Sequence, residues 1–115
     1  MSEHAHIQGC AFQTGDINWQ EMRGMPPGVE VKILRMDVRS GAKTMLVKLP
    51  PGGQIFAHRH DVVIQHYVVE GEYVTKGQRF GVGTYRMIPQ GSDVPTINSA
   101  QGVTFLLVSD PVVVT

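Results

Sequence analysis

Residues 52–71 read GGQIFAHRHDVVIQHYVVEG and hold three of the five histidines, His58 and His60 two apart and His66 six further on. Side chains alternate faces along a β-strand, so residues two apart point the same way. A strand through this stretch projects His58 and His60 from one face together with Phe56, and sends Ile55, Ala57 and Arg59 to the other. After Asp61-Val62-Val63 a second strand-like run, Ile64–Glu70, stops at Gly71. If the two runs pair, either His66 or Gln65, depending on register, closes on the same point as the histidine pair. The stretch is therefore a candidate metal site.

The rest of the chain bounds the alternatives. A chain of 115 residues makes one domain, long enough to bury roughly two-thirds of its unfolded surface. Hydrophobic content of 42% against 17% charge describes a globular protein. Ten basic and ten acidic side chains cancel and no basic cluster occurs, so neither nucleic acid nor an anionic membrane is an expected partner. Cys10 is the single cysteine, which excludes an internal disulfide and suits a reducing compartment. The opening residues, MSEHAHIQG, carry neither a cationic nor an apolar leader segment, and no run approaches the ~18 apolar residues of a membrane helix. The expectation is a soluble, cytoplasmic domain.

Along the chain, residues 1–15 read as a flexible arm, with His4 and His6 as solvated side chains, and residues 16–115 as a single domain. Asp16–Arg23 holds the only tryptophan, Trp19, expected to anchor a short strand or turn against the body. Gly24–Gly28 (GMPPG) is a turn. Val29–Ile33 and Leu34–Val38 each alternate apolar and polar residues but out of step with one another, which implies a bulge or a strand that changes sheets. Further short strands are expected at Lys43–Leu49, Gln54–His60, Ile64–Glu70, Glu72–Thr75, Arg79–Val82, Thr84–Ile88 and Gly102–Val108, with Val112–Val114 as an added edge. No segment keeps a 3.6-residue period over ten positions. Eight to ten short strands with regular turn signals argue for an all-β sandwich or barrel.

Two spacings then align with a known family. The chain resembles the cupins, double-stranded β-helix (jelly-roll) barrels with a first motif G-x5-H-x-H-x3,4-E-x6-G. Here that motif falls on Gly52, His58, His60, Ile64 and Gly71, and the second, G-x5-P-x-G-x2-H-x3-N, falls on Gly83, Pro89, Gly91, Val94 and Asn98. The text from Trp19 to Val108 is similar to one branch of the family. That branch holds the metal-binding domain of certain anti-sigma factors and iron-dependent dioxygenases that cleave acetylacetone or 2,4′-dihydroxyacetophenone.

The resemblance implies a divalent ion, Fe(II) first and zinc, nickel or manganese as alternatives. It also implies a small carbonyl substrate and a homodimer. Only His58 and His60 carry over as ligands, because Ile64 (or Gln65 at the longer spacing) stands where the motif has glutamate and Val94 where it has histidine. His66 and Gln65 compete as replacement ligands, and the plain alternative for His66 is a core histidine bonded to backbone or water. Phe56, Ile64, Tyr85, Met87 and Val94 are the expected pocket residues. A metal-dependent dioxygenase acting on a β-diketone or hydroxyketone is the first expectation. A non-catalytic module that binds or senses a small ligand or metal, and a redox-neutral lyase or isomerase, remain open beside it.

Overall fold

The computed structural model describes residues 9–111, so His4, His6 and the edge strand expected at residues 112–114 lie outside the described residues. A single 3-10 turn, Thr14–Asp16, precedes twelve strands: β1 Gln20–Glu21, β2 Glu30–Met36, β3 Lys43–Leu49, β4 Gly53–Ile55, β5 His58–Arg59, β6 Val63–Gly71, β7 Tyr73–Thr75, β8 Gln78–Phe80, β9 Tyr85–Ile88, β10 Asp93–Val94, β11 Ile97–Ser99 and β12 Val103–Asp110. They form a six-stranded sheet in the order β1-β2-β3-β12-β6-β9, a four-stranded sheet β4-β11-β7-β8, and a small ribbon of β5 with β10. Every pairing is antiparallel. Among the described residues no helix is long and apolar enough to cross a membrane.

Period-two patterning sets which side chains enter the core. In β3, Met45, Val47 and Leu49 are buried while Thr44, Leu46 and Lys48 are less so; in β12, Val103, Phe105 and Leu107 point inward. β12 lies between β3 and β6, so Phe105 sits on a rung with Val47 and Val68, and Leu107 with Met45 and His66. The core is completed across the sandwich by Tyr73 and Ile97 from the second sheet.

The phase slip between Ile33 and Leu34 is a bulge: β2 pairs Ile33 with Met45 and Arg35 with Thr44, leaving Leu34 as the extra residue. Trp19 packs beneath two ammonium groups, Lys32 Nζ at 4.8 Å and Lys48 Nζ at 4.9 Å from its ring centre. Lys32 Nζ also donates to the Thr14 carbonyl at 2.8 Å, which ties residue 14 onto the sheet.

One expected strand is not continuous. Gln54–His60 splits into β4, which pairs with β11, and β5, which pairs with β10, with Phe56 and Ala57 between them. The alternation rule holds only within one strand, so it does not carry across this break. Phe56 is turned outward and 62% exposed, away from the face that the histidines share. Ser99 closes β11.

Gly71, the last residue of β6, has φ +74°, and a Cβ built on it would collide with the Gly102 carbonyl across the β6–β12 pairing. Backbone strain and steric overlap therefore act together at this position. Gly71→Ala should lower stability by about 2–3 kcal/mol, read as a lower urea midpoint at unchanged m-value, and an unshifted midpoint would contradict this packing.

Candidate metal centre

β5 pairs with β10 so that His58 lies opposite Val94 and Arg59 opposite Asp93. His60 follows directly, and its imidazole meets that of His58 edge to face, with ring centres 4.3 Å apart. The two Nε2 atoms approach to 2.8 Å. His58 Nδ1 lies 2.7 Å from the Phe56 carbonyl, an acceptor only, so Nδ1 carries the hydrogen and Nε2 presents its lone pair. This is the orientation that a backbone carbonyl imposes on a metal-binding histidine. In the protein alone, His60 Nε2–H donates to His58 Nε2. Burial is the main cause that holds His60 below the ordinary histidine range, followed by the His58 charge, while Asp61 acts the other way.

Two imidazole nitrogens bound cis to one ion, each at ~2.1 Å, stand ~3.0–3.4 Å apart. The observed 2.8 Å needs only a small opening to reach that range. The pair therefore fits two positions on an ion. Among the described residues no three His, Cys, Asp or Glu side chains converge on one metal-binding point.

His66 is brought to the same cavity but sits deeper. The cavity has a volume of about 40 Å3 and is walled by His58, His60, His66, Val94, Phe105 and Met25 together with further aliphatic side chains. By the measure in which one water fills ~10–15 Å3, it has room for a few atoms beyond its mouth. His58 is exposed at the rim, whereas His66 is 4% exposed and its ring lies 4.4 Å from that of Phe105, tilted by 37°. His66 Nδ1 is 2.8 Å from the Tyr73 hydroxyl, which Arg86 Nη1 also meets at 3.0 Å. A guanidinium can only donate, so the Tyr73 oxygen accepts from Arg86. The phenolic hydrogen then finds its acceptor at His66 Nδ1; left unpaired in this core it would cost ~1–3 kcal/mol. Burial first, then the Arg86 charge, then the His60 and His58 rings push the His66 pKa down to about 3. Burial raises the Tyr73 pKa, against the hydrogen bond and charge of Arg86.

The other expected residues fall elsewhere. Gln65 alternates to the outer face of β6, where its Oε1 accepts from the Tyr85 hydroxyl at 2.7 Å. Tyr85 and Met87 lie on that outer face too, opposite Tyr67 and Gln65, and are 58% and 54% exposed. Ile64 is buried in the core but does not wall the cavity. Of the five expected pocket residues only Val94 lines it, because β6 and β9 each send one parity inward and Phe56 is off-strand. Tyr73 and Arg86 went unnoticed in the sequence; the available signal was Arg86 at the same parity as Ile88, a cation on an inward-facing strand position.

A two-sheet antiparallel sandwich with an imidazole pair at the mouth of its internal cavity defines the protein as a cupin. The sequence pattern of the ChrR cupin-like domain matches residues 7–113, and the chain belongs to that family. No curated protein matches it. An acetylacetone dioxygenase from Acinetobacter johnsonii is similar in structure, with a TM-score of 0.77 at 11% identity over 96% of this chain and 78% of that one. An RmlC-like cupin protein from Ralstonia eutropha gives 0.77 at 23% identity over 96% and 73%. A chain of the Rhodobacter sphaeroides complex of SigE with the anti-sigma ChrR gives 0.68 at 23% identity, over 85% of this chain and about half (51%) of that one.

The depressed His66 pKa has a defined consequence for stability. Above the ordinary value of 6.5 the ring is neutral folded or unfolded, and the neutral-ring stabilisation is fully present. Below 6.5 the unfolded ring takes a proton that the folded ring refuses until about pH 3. Stability should therefore fall with acidification across that window, by up to ~1.4 kcal/mol per pH unit from this group. Urea titrations at a series of pH values should show a shallower decline in His66→Gln, and identical slopes would contradict the assignment.

Proposed function

We propose that the protein is a metal-dependent cupin acting on a small carbonyl compound, in which His58 and His60 hold a divalent ion. Fe(II) is the first choice, and zinc, nickel and manganese are the others that such a donor set accepts. The observation that carries this reading is the convergence of two Nε2 atoms at 2.8 Å, one of them with its tautomer set by the Phe56 carbonyl. Such an ion, when bound, supplies Lewis acidity toward a carbonyl oxygen and a redox centre for dioxygen. The chain's own residues supply the rest. Val94, Phe105 and their aliphatic neighbours exclude bulk water from the cavity, and His66 stands neutral in its wall. Ile64 and Val94 bring no donor atom, so further ligands to the ion come from substrate or water.

The reaction class is dioxygenase-like cleavage of a β-diketone or hydroxyketone, in line with the acetylacetone dioxygenase among the structural neighbours. A redox-neutral lyase or isomerase step would use the same scaffold. The second reading is a non-catalytic module that binds or senses a small ligand or metal. It is favoured by valine and isoleucine at the two donor positions and by the anti-sigma complex among the neighbours. The reading places the protein in the cytoplasm, where the exposed Cys10 stays reduced. It also makes the protein a homodimer, formed through the outer face of β6 and β9, where Tyr67, Val69, Tyr85 and Met87 are 44–58% exposed.

Protein purified without a histidine tag should carry one iron per chain, and His58→Ala should weaken metal binding by more than about 100-fold. Iron-loaded protein should consume dioxygen with acetylacetone or an aryl hydroxyketone. Stoichiometric iron without oxygen uptake would eliminate the dioxygenase class and leave the binding module; wild-type protein that retains no metal would eliminate both metal-based readings.

A further inference from the structure

We propose that His66 is not a metal ligand but a fixed hydrogen-bond donor, held as its Nε2–H tautomer by Tyr73 and Arg86, which binds an anionic oxygen of the ligand in the cavity. The ligand half of this rests on the cavity being the binding site proposed above; the tautomer half stands on its own geometry.

Three groups form a chain with one direction. Arg86 Nη1 donates to Tyr73 Oη at 3.0 Å, and a guanidinium has no way to accept. Tyr73 is 0% exposed, so its hydrogen must find a protein acceptor, and His66 Nδ1 lies 2.8 Å away. A neutral imidazole that accepts at Nδ1 carries its hydrogen at Nε2. Ligation of a metal through Nε2 would require that hydrogen to move to Nδ1, where it would face the Tyr73 oxygen and strand the phenolic hydrogen. The ring cannot easily turn away from this arrangement: it is 96% buried by its 4% exposure and wedged against Phe105 at 4.4 Å.

Among the described residues nothing pairs with His66 Nε2, although the ring walls a cavity that is otherwise apolar except for His58 and His60. An unpaired donor in such a place selects for an acceptor brought by the ligand. The cavity's small volume, about 40 Å3, limits what enters to a compact head such as a carboxylate or an enolate. The same Arg86 cation that orients Tyr73 also favours negative charge at this end of the cavity, and it is held in place over the Phe80 ring, 4.7 Å from the ring centre. His58 and His60 at the rim and His66 in the wall would thus divide the work, the pair holding an ion and the third imidazole holding a ligand oxygen. Tyr73 and Arg86 act through His66 and are positioning residues.

The test reads tautomer, metal and anion separately. Nitrogen-15 spectra of the metal-free protein at neutral pH should show the His66 hydrogen on Nε2 and a bare Nδ1, and Tyr73→Phe should abolish that preference. His66→Phe should bind Zn(II) within about twofold of wild type. The same variant should bind acetate, used as the probe on zinc-loaded protein, about tenfold or more weakly. His66→Gln, whose amide can reach the Nε2 position, should recover most of the acetate affinity, and it serves in place of His66→Phe if that variant does not fold. A hydrogen found on Nδ1 in the wild type would overturn the proposal, as would zinc loss in either variant as complete as in His58→Ala. Wild-type protein that binds no zinc would remove the metal centre alone, and the tautomer would still decide this proposal.

Discussion

Strand β6 is hydrogen-bonded on both sides, to β12 along one edge and to β9 along the other, and that double pairing decides which of its side chains can be inside. Ile64, His66 and Val68 go inward; Gln65, Tyr67 and Val69 go out. A slip of one residue would exchange the two sets, exposing an isoleucine and a valine that each contribute ~1.5–3 kcal/mol on burial and forcing a glutamine into the core. The register is held at the far end by Gly71, whose positive φ and close approach to Gly102 no other residue can match. His66 is inside as a consequence of this constraint on the whole strand. The competition between His66 and Gln65 for the cavity is thus settled by the hydrophobic neighbours of both.

A buried imidazole needs partners, and the sheet register supplies them. His66 shares a rung with Arg86 on β9, while Tyr73 reaches across from the second sheet to stand between them. An arginine at an inward position would ordinarily oppose folding; here it is satisfied by the Tyr73 oxygen and by the ring of Phe80. The three polar groups share one direction of donation, so each fixes the next, and the orientation of the last is as rigid as the packing of the first. The unpaired hydroxyl of Thr75, by contrast, is buried with no partner among the described residues, and nothing in its surroundings accounts for it.

Much of this architecture was readable in the chain because it is carried by period and spacing. The out-of-step runs on either side of Leu34 marked the bulge, and the glycine and proline positions of both motifs marked the barrel, since both signals are local. Boundaries inside Gln54–His60 were not readable. All seven residues there read as one strand, yet β4 and β5 pair with different partners, and pairing is a property of distant segments, Ile97–Ser99 and Asp93–Val94. Phe56 was misplaced for that reason, and Tyr85 and Met87 because alternation identifies two faces without saying which is inside. Tyr73 and Arg86 escaped notice since strands of three and four residues have too few positions to display a period, and neither belongs to the motifs.

The replacement of donor residues at positions 64 and 94 takes on a sense once His66 is placed. Val94 lies directly opposite His58, so a donor there would share the rim with the imidazole pair, and its loss leaves the rim with two nitrogens. The third imidazole of the cavity stands deeper, against Phe105, with its outward-facing nitrogen unpaired. On the reading proposed above, polar capacity is withdrawn from the ion and set where a ligand's far oxygen would lie. An ion held by two protein nitrogens would keep open positions, and a ligand that bridged it to His66 would contribute to holding both. Metal and ligand should then bind cooperatively, each raising the other's affinity, because a free energy of coupling between two sites acts equally in both directions.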